Sequence, residues 1–215
     1  MKTKAMGKIT ITLFLILIAS LFLTSCNGIV TPELQLDLDE DINKIEEIDY
    51  VYLDVPYEKY AGPKWCLPAS SAMEFKYFGQ DITQQEIANA VIENGKSSVY
   101  KMIEYAKELG FEAKYNYMTI EDIKDSLKQE IPVIAIQNYS LFINYCHARV
   151  IIGYDDEKQE VITNDPTAGK DHKIDYSTFK ALNTGSNPDL FKIIVISPEE
   201  IDAKNATLIN DTNNS

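Results

Sequence analysis

The spacing of apolar positions changes near residue 132 and divides the sequence into two differently patterned halves. Before this point, apolar residues recur at helical intervals between capping residues and glycines. After it, short β-branched runs alternate with turn-forming residues. The pattern predicts helices from Cys66 to Gly79, Thr83 to Ile92, Ser98 to Leu109 and Thr119 to Gln129, and strands at Tyr50 to Val55, Pro132 to Gln137, Cys146 to Tyr154, Glu160 to Thr163 and Leu190 to Ile196. Helices followed by antiparallel strands indicate an α+β fold, with N-terminal helices packed on the sheet.

The first 25 residues have the layout of a secretory signal. Three lysines precede a stretch from Ile9 to Leu23 that carries no charge and is shorter than the roughly 20 residues that a spanning helix needs. The closing tetrapeptide Leu23-Thr24-Ser25-Cys26 resembles the lipobox of bacterial lipoproteins. This resemblance implies cleavage before Cys26 and lipid attachment to its sulfur, which would hold the protein outside the cytoplasm on the cell membrane. An uncleaved transmembrane anchor is the alternative.

The rest of the chain divides into three parts by composition. Residues 26–49 are acidic and poor in aromatic residues, which is typical of an extended tether. Residues 50–198 contain the predicted helices and strands and are expected to form one domain. Residues 199–215 are rich in Asn and Asp and form a polar tail.

Charge and cysteine content exclude two classes of protein. Acidic residues outnumber basic ones 33 to 20, and Arg149 is the single arginine, so a nucleic-acid partner is not expected. If Cys26 carries lipid, only Cys66 and Cys146 remain, and two cysteines do not make a disulfide framework. We expect Cys146 to lie in the core and face away from Cys66, because it adjoins His147 on a strand. A Cys66–Cys146 disulfide is the alternative.

Three residues along the chain have the chemistry of a nucleophile, a base and an orienting acid. Cys66 is predicted at a helix N-terminus, where unpaired amide groups favour a thiolate. His147 opens an apolar strand, whereas His172 lies in a polar loop and is expected to be solvated. Asp165 ends the following strand and would hold the imidazole in one tautomer. Each has an ordinary structural alternative, as a buried thiol, a core histidine or a turn residue.

The sequence around these residues resembles a known family. The segments Val55-Pro56-Tyr57, Trp65-Cys66-Leu67-Pro68-Ala69 and Phe75-Lys76-Tyr77-Phe78-Gly79 are similar to the cysteine region of the bacteriocin-processing (double-glycine leader) papain-like peptidases. The stretch from His147 to Asp155 and the triplet Asn164-Asp165-Pro166 are similar to its histidine and aspartate regions. The resemblance implies a papain-like cysteine peptidase fold, with Cys66 as nucleophile, His147 as general base and acid, and Asp165 as orienting residue.

Two positions depart from the family pattern. Tyr60 stands where the family usually has the glutamine of the oxyanion hole, and Leu67 stands where a glycine usually follows the cysteine. Loss of one oxyanion donor can reduce turnover by about 10²–10³. Lys59 and Gln137 are other polar residues, but neither occupies the position of the family's oxyanion-hole glutamine. Besides an active peptidase, the sequence therefore leaves open a catalytically inactive domain that binds peptides or a surface partner.

The first hypothesis is therefore a lipid-anchored cysteine peptidase that acts on a peptide or protein and needs no cofactor and no metal. The inactive peptide-binding domain is the second hypothesis. A third is a cell-wall hydrolase of the NlpC type, whose pattern fits the segments around Cys66 and Asp165 less well. We expect contact with the membrane only through lipid at Cys26, and we expect a monomer.

Overall fold

The structure is a computed structural model that describes residues 50–199. The predicted signal peptide, Cys26, the tether and the polar tail after residue 199 lie outside the described residues. The elements follow in the order β1 (Tyr50–Tyr52), α1 (Cys66–Tyr77), α2 (Gln84–Val91), β2 (Ile92–Glu93), β3 (Lys96–Ser97), α3 (Val99–Glu108), β4 (Phe111–Met118), α4 (Ile120–Lys128), β5 (Val133–Asn138), β6 (Cys146–Asp155), β7 (Glu160–Asp165), β8 (Gly169–Asp175), α5 (Tyr176–Ala181) and β9 (Phe191–Pro198).

Seven strands form one antiparallel sheet in the order β4-β9-β5-β6-β7-β8, and β1 also pairs with β6. Strand β6 is the longest at 10 residues. One end of β6 pairs with β5, and β1 takes over this edge at Gly153. A Cβ atom at Gly153 would lie 2.3 Å from the carbonyl oxygen of Val51, so the close approach of β1 requires a glycine here.

Helix α1 packs against β6 and is enclosed on its other sides by neighbouring elements. Every residue from Leu67 to Phe75 is buried, and the ring of Phe75 makes edge contacts with the rings of Tyr105 and Phe111. The helical spacing of its apolar residues predicted burial on one face, but the sheet and helices α2 and α3 bury all sides of the helix from Leu67 to Phe75. A helix packed on all sides is a rigid support for whatever lies at its first turn.

The predicted α+β class, the four N-terminal helices and the antiparallel pairing are confirmed. The capping boxes at Thr83 and Thr119 form, each with the acidic residue three positions later. The sequence pattern missed β4, β8 and α5, as well as the two-residue strands β2 and β3. Strand β4 carries Glu, Lys and Asn among its apolar residues, and β8 is an edge strand with only Ile174 buried, so neither shows a strong β signal.

Within residues 50–199, no helix is long and apolar enough to cross a membrane.

Candidate active site

Cys66 is the first residue of α1, as the sequence predicted. The residue before it, Trp65, occupies the N-cap position but makes no side-chain capping bond, whereas Thr83 and Thr119 cap the helices that follow them. The amide groups of the first turn of α1 therefore remain directed at the region around the thiol. Cys66 is half-buried and free.

His147 and Asp165 meet at the active-site end of β6 and β7. His147 is the second residue of β6 and Asp165 is the last residue of β7. Their side chains are both buried, and His147 Nε2 lies 3.0 Å from Asp165 Oδ1. The Cys66 thiol lies within reach of the same imidazole, whose hydrogen bond lowers the pKa of the thiol, and both side chains line one cavity. The imidazole thus lies between the thiol and the carboxylate.

Backbone amides and a guanidinium fix the Asp165 carboxylate. The amides of Thr167 and Ala168 donate to Oδ1 at 2.8 and 3.0 Å, and Arg149 Nε lies 3.3 Å from Oδ2. Burial by itself would raise the pKa of Asp165. The hydrogen bond with His147, its charge and that of Arg149 outweigh burial, and the pKa lies well below its usual range.

The Cys66 thiol and the His147 imidazole shift each other's pKa in opposite directions. Burial raises the pKa of Cys66, but the hydrogen bond with His147 and the amides of Ala148 and Leu67 bring it below the usual thiol value. Burial lowers the pKa of His147, but the bonds with Asp165 and Cys66 raise it overall. Both shifts favour the thiolate–imidazolium pair, which is the reactive state of a cysteine nucleophile.

Arg149 joins the carboxylate to the loop that follows β5. It lies two positions after His147 on β6, so both side chains point to the same face of the sheet. Its side chain is buried, and its terminal nitrogen lies 3.5 and 3.3 Å from the carbonyl oxygens of Asn138 and Tyr139. The ring of Tyr139 in turn meets the His147 ring edge-on, with centroids 5.3 Å apart. The sequence identified Arg149 only as the single arginine.

Tyr60 lies on a segment held by Gln84 of α2, another residue that the sequence pattern missed. Gln84 accepts from the Ala61 amide at 2.9 Å and donates to the Lys59 carbonyl oxygen at 2.9 Å. The Tyr60 amide donates to Pro166 at 3.3 Å, which ties the segment to the turn after Asp165. Tyr60 therefore has a defined backbone position, while 38% of the residue is exposed.

A cavity of about 350 Å³ opens over these residues. Several aromatic rings line this cavity around Cys66. The sequence did not identify three of them, Trp65, Tyr139 and Tyr145, as part of a site. The cavity is lined by Tyr60, Pro63, Lys64, Trp65, Cys66, Tyr139, Ile143, Tyr145, His147 and Thr167.

The structure brings together the four residues predicted for the reaction and leaves others apart. Cys66, Tyr60 and His147 line one cavity, and Asp165 lies behind the imidazole. His172 is exposed on β8, as expected. Gln137 faces His147 across the β5–β6 ladder, but it is buried and donates to Phe179 at 2.9 Å.

The prediction for Cys146 was wrong. Cys146 is exposed and free rather than a core residue, and it lines a second cavity together with Cys66. It is the first residue of β6 and pairs with the last residue of β5. The sheet ends at this pair of residues. Beyond the sheet no core formed by residues 50–199 lies against either face, so the alternation of side chains along the strand does not bury Cys146.

Among residues 50–199, no three His, Cys, Asp or Glu side chains are grouped so that they could hold a metal ion.

The model of the Peptidase_C39 like family matches residues 52–184, which include all four predicted reaction residues. The chain belongs to this family. No curated protein sequence matches the chain. The family and the arrangement of helices on an antiparallel sheet confirm the resemblance that the sequence segments indicated.

Two solved structures share the fold of this C39-like domain. The peptidase domain of Streptococcus ComA, a bifunctional ABC transporter involved in quorum sensing, is 19% identical, with a TM-score of 0.54 over 66% of this chain and 97% of that chain. A double glycine motif protease from an AMS/PCAT transporter, solved in complex with the leader peptide, is 24% identical, with a TM-score of 0.51 over 69% of this chain and 94% of that one. The C39-like domain has the papain-like cysteine peptidase fold.

Proposed function

We propose that this chain is a cysteine peptidase in which Cys66 is the nucleophile, His147 the proton carrier and Asp165 the orienting carboxylate. One observation carries the proposal: the buried imidazole lies 3.0 Å from Asp165 through Nε2 and also contacts the Cys66 thiol, whose pKa it lowers. A ring held in this way has one tautomer and one orientation, which a proton carrier between thiol and substrate needs.

The chemistry follows from this arrangement. The Cys66 thiolate attacks the carbonyl carbon of a peptide bond, and the C–N bond breaks when the His147 imidazolium gives its proton to the departing amine. This leaves a thioester on Cys66. His147 then takes a proton from water, whose oxygen attacks the thioester, and the sulfur leaves as the thiolate. Asp165 stays ionised throughout and stabilises the imidazolium.

Thiol reactivity tests the central pair directly. We would measure alkylation of Cys66 by iodoacetamide across pH, with peptide mapping to separate the cysteines, in the wild type, His147→Ala and the matched control His172→Ala. The wild type and the control should react with a midpoint below the usual thiol pKa of about 8.5. In His147→Ala the midpoint should rise, because the hydrogen bond and the charge of His147 no longer offset the effect of burial on the thiol pKa. Equal midpoints in all three proteins would refute the proposed pair.

Peptide turnover tests the reaction itself. Mixed peptide substrates should be cleaved by the wild type and by His172→Ala, and not by Cys66→Ala. A reactive thiol without turnover of any peptide would favour the second candidate, a peptide-binding domain without catalysis. The observation that favours this candidate is Tyr60, which lines the catalytic cavity at the position of the family's usual glutamine.

Exchange of Tyr60 separates the two candidates. In our proposal, the amide groups of the first turn of α1 and the Tyr60 hydroxyl stabilise the oxyanion. Tyr60→Gln should then raise turnover, and Tyr60→Phe should lower it by about 10-fold or more. If Tyr60→Gln gains turnover from an inactive wild type, this chain is an inactive relative; if both variants match an active wild type, Tyr60 has no part in the oxyanion hole.

We also propose that Cys26 carries lipid and that the C39-like domain lies outside the cytoplasm on the membrane. The support is the sequence from Lys2 to Cys26 alone. Incorporation of labelled palmitate into the wild type, and its loss in Cys26→Ser, would test this proposal. Equal labelling of both proteins would refute it.

A further inference from the structure

Two cavities meet at Cys66 and together form one cleft. The cavity of about 350 Å³ described above and a second of about 400 Å³ share Lys64, Cys66, Tyr145 and His147 in their walls. The thiol therefore lies in the cleft and not at its end. A peptide bond placed at Cys66 would leave room for side chains on both sides of it.

Both halves of the cleft have apolar walls, and they differ in their lysines. Lys64 lines both halves, whereas Lys96 lines the second half alone. A substrate group of negative charge would therefore be favoured in the second half.

The walls of the cleft contain no acidic side chain among the described residues, although the protein as a whole is acidic. Acidic residues outnumber basic ones 33 to 20 in the sequence, yet no Asp or Glu lines either half of the cleft among the described residues. A positive cleft on an acidic protein attracts an anionic group locally, although the protein as a whole repels it.

The two lysines are not neutralised by neighbours within residues 50–199. Glu93 faces Lys96 across the β2–β3 hairpin, but it pairs with Lys101 at 3.1 Å.

We propose that the cleft selects peptides with an acidic side chain on the side of the scissile bond that occupies the second half. This inference rests on the proposed peptidase function. The acidic group would lie between Lys64 and Lys96. Two exposed charge pairs of this kind correspond to a preference of up to roughly 30-fold.

The experiment uses the full-length chain and a set of fluorescence-quenched dodecapeptides. Each has a central Phe and carries Glu, Gln or Lys at one position, one to four residues to either side. The wild type should cleave the best Glu peptide about 5- to 30-fold more efficiently than its Lys counterpart, and added salt should reduce this preference. The double variant Lys64→Glu/Lys96→Glu should reverse it.

Lys107→Glu is the matched control, since Lys107 is an exposed lysine of α3 outside both cavities. This variant should keep the wild-type preference. Equal cleavage of Glu and Lys peptides by the wild type, or the same preference in the double variant as in the wild type, would overturn the inference.

Binding separates failure of this inference from failure of the proposed function. The same peptides, labelled with a fluorophore, are titrated by anisotropy against Cys66→Ala and against Cys66→Ala with both lysines reversed. If the wild type cleaves nothing but binding still prefers Glu and reverses with the lysines, the cleft preference holds and the peptidase proposal fails. If no peptide binds, or if binding ignores charge, the cleft preference is refuted.

Discussion

Replacement of Arg149 by methionine should destabilise the C39-like domain strongly and in a pH-dependent way. Arg149 Nε lies 3.3 Å from Asp165 Oδ2, and both side chains are about 3% exposed. Methionine fills much of the same space without charge, so Asp165 would keep His147 and two backbone amides but lose its guanidinium. The carbonyl groups of Asn138 and Tyr139 would lose a donor as well.

The size of the effect follows from burial. Removal of one partner of a buried ion pair costs about 3–5 kcal/mol, because the other charge is left without compensation. The lower end applies here, since three other hydrogen-bonding groups still hold the carboxylate. We expect a loss of about 3 kcal/mol in the free energy of unfolding at pH 7, measured by urea denaturation.

The pH dependence provides a second measurement. Asp165 has a folded-state pKa below its unfolded value of about 3.9. It therefore contributes stability above that value, and this contribution is lost as pH falls through the folded-state pKa. Without Arg149 the folded-state pKa should rise. The variant should then unfold at a higher pH in acid titrations, and its deficit in unfolding free energy should shrink in acid, where the carboxylate becomes neutral.

Two controls make the result specific. Arg149→Lys keeps the charge but not the planar fork, so its loss should be smaller than that of Arg149→Met. Lys107→Met removes an exposed positive charge and should change the unfolding free energy by less than about 0.5 kcal/mol. A stability of Arg149→Met within 0.5 kcal/mol or so of the wild type would mean that the buried pair has no net stabilising role.

Three further predictions follow from the described residues. The acid limb of the pH profile of kcat/KM should lie below the usual thiol pKa of about 8.5, because the pKa of Cys66 is lowered. The basic limb should lie above the usual histidine pKa, because the pKa of His147 is raised. An acid limb centred at about 8.5 would contradict this prediction. Glu74 is fully buried and has no hydrogen-bond partner among residues 50–199, and burial raises its pKa well above the usual value. The domain therefore loses stability as the pH rises from the unfolded-state pKa of this carboxyl toward its raised folded-state pKa. Glu74→Met should therefore stabilise the domain at pH 7 by about 1–3 kcal/mol in urea denaturation, with a smaller gain near pH 4; an equal gain at both pH values would show that ionisation is not the cause. Gly153→Ala would bring a methyl group to 2.3 Å from the Val51 carbonyl oxygen and should destabilise by about 1–3 kcal/mol or more, and unchanged thermal stability would show that β1 moves freely.

Local features of the active site were predictable because they depend on neighbours in sequence. Pro68 in the first turn and the apolar spacing after it placed Cys66 at a helix N-terminus, and β-branched residues after His147 identified its strand. The capping boxes at Thr83 and Thr119 followed from residues three positions apart. These interactions close within one helical turn or one strand, so the chain alone specifies them.

Contacts between distant segments could not be predicted, because they depend on how the whole domain packs. Three examples depend on where the sheet ends and which loops meet there. They are the ion pair of Arg149 with Asp165, the hydrogen bonds of Gln84 to the segment of Tyr60, and the exposed position of Cys146. Spacing along the chain carries no information about such meetings. The α+β class, the helix N-terminus at Cys66 and the strand that carries His147 are specified by the sequence pattern, because these are local properties. The meeting of a thiol, an imidazole and a carboxylate, and the two lysines in the walls of the same cleft, depend on long-range contacts, because packing of the whole sheet sets those positions.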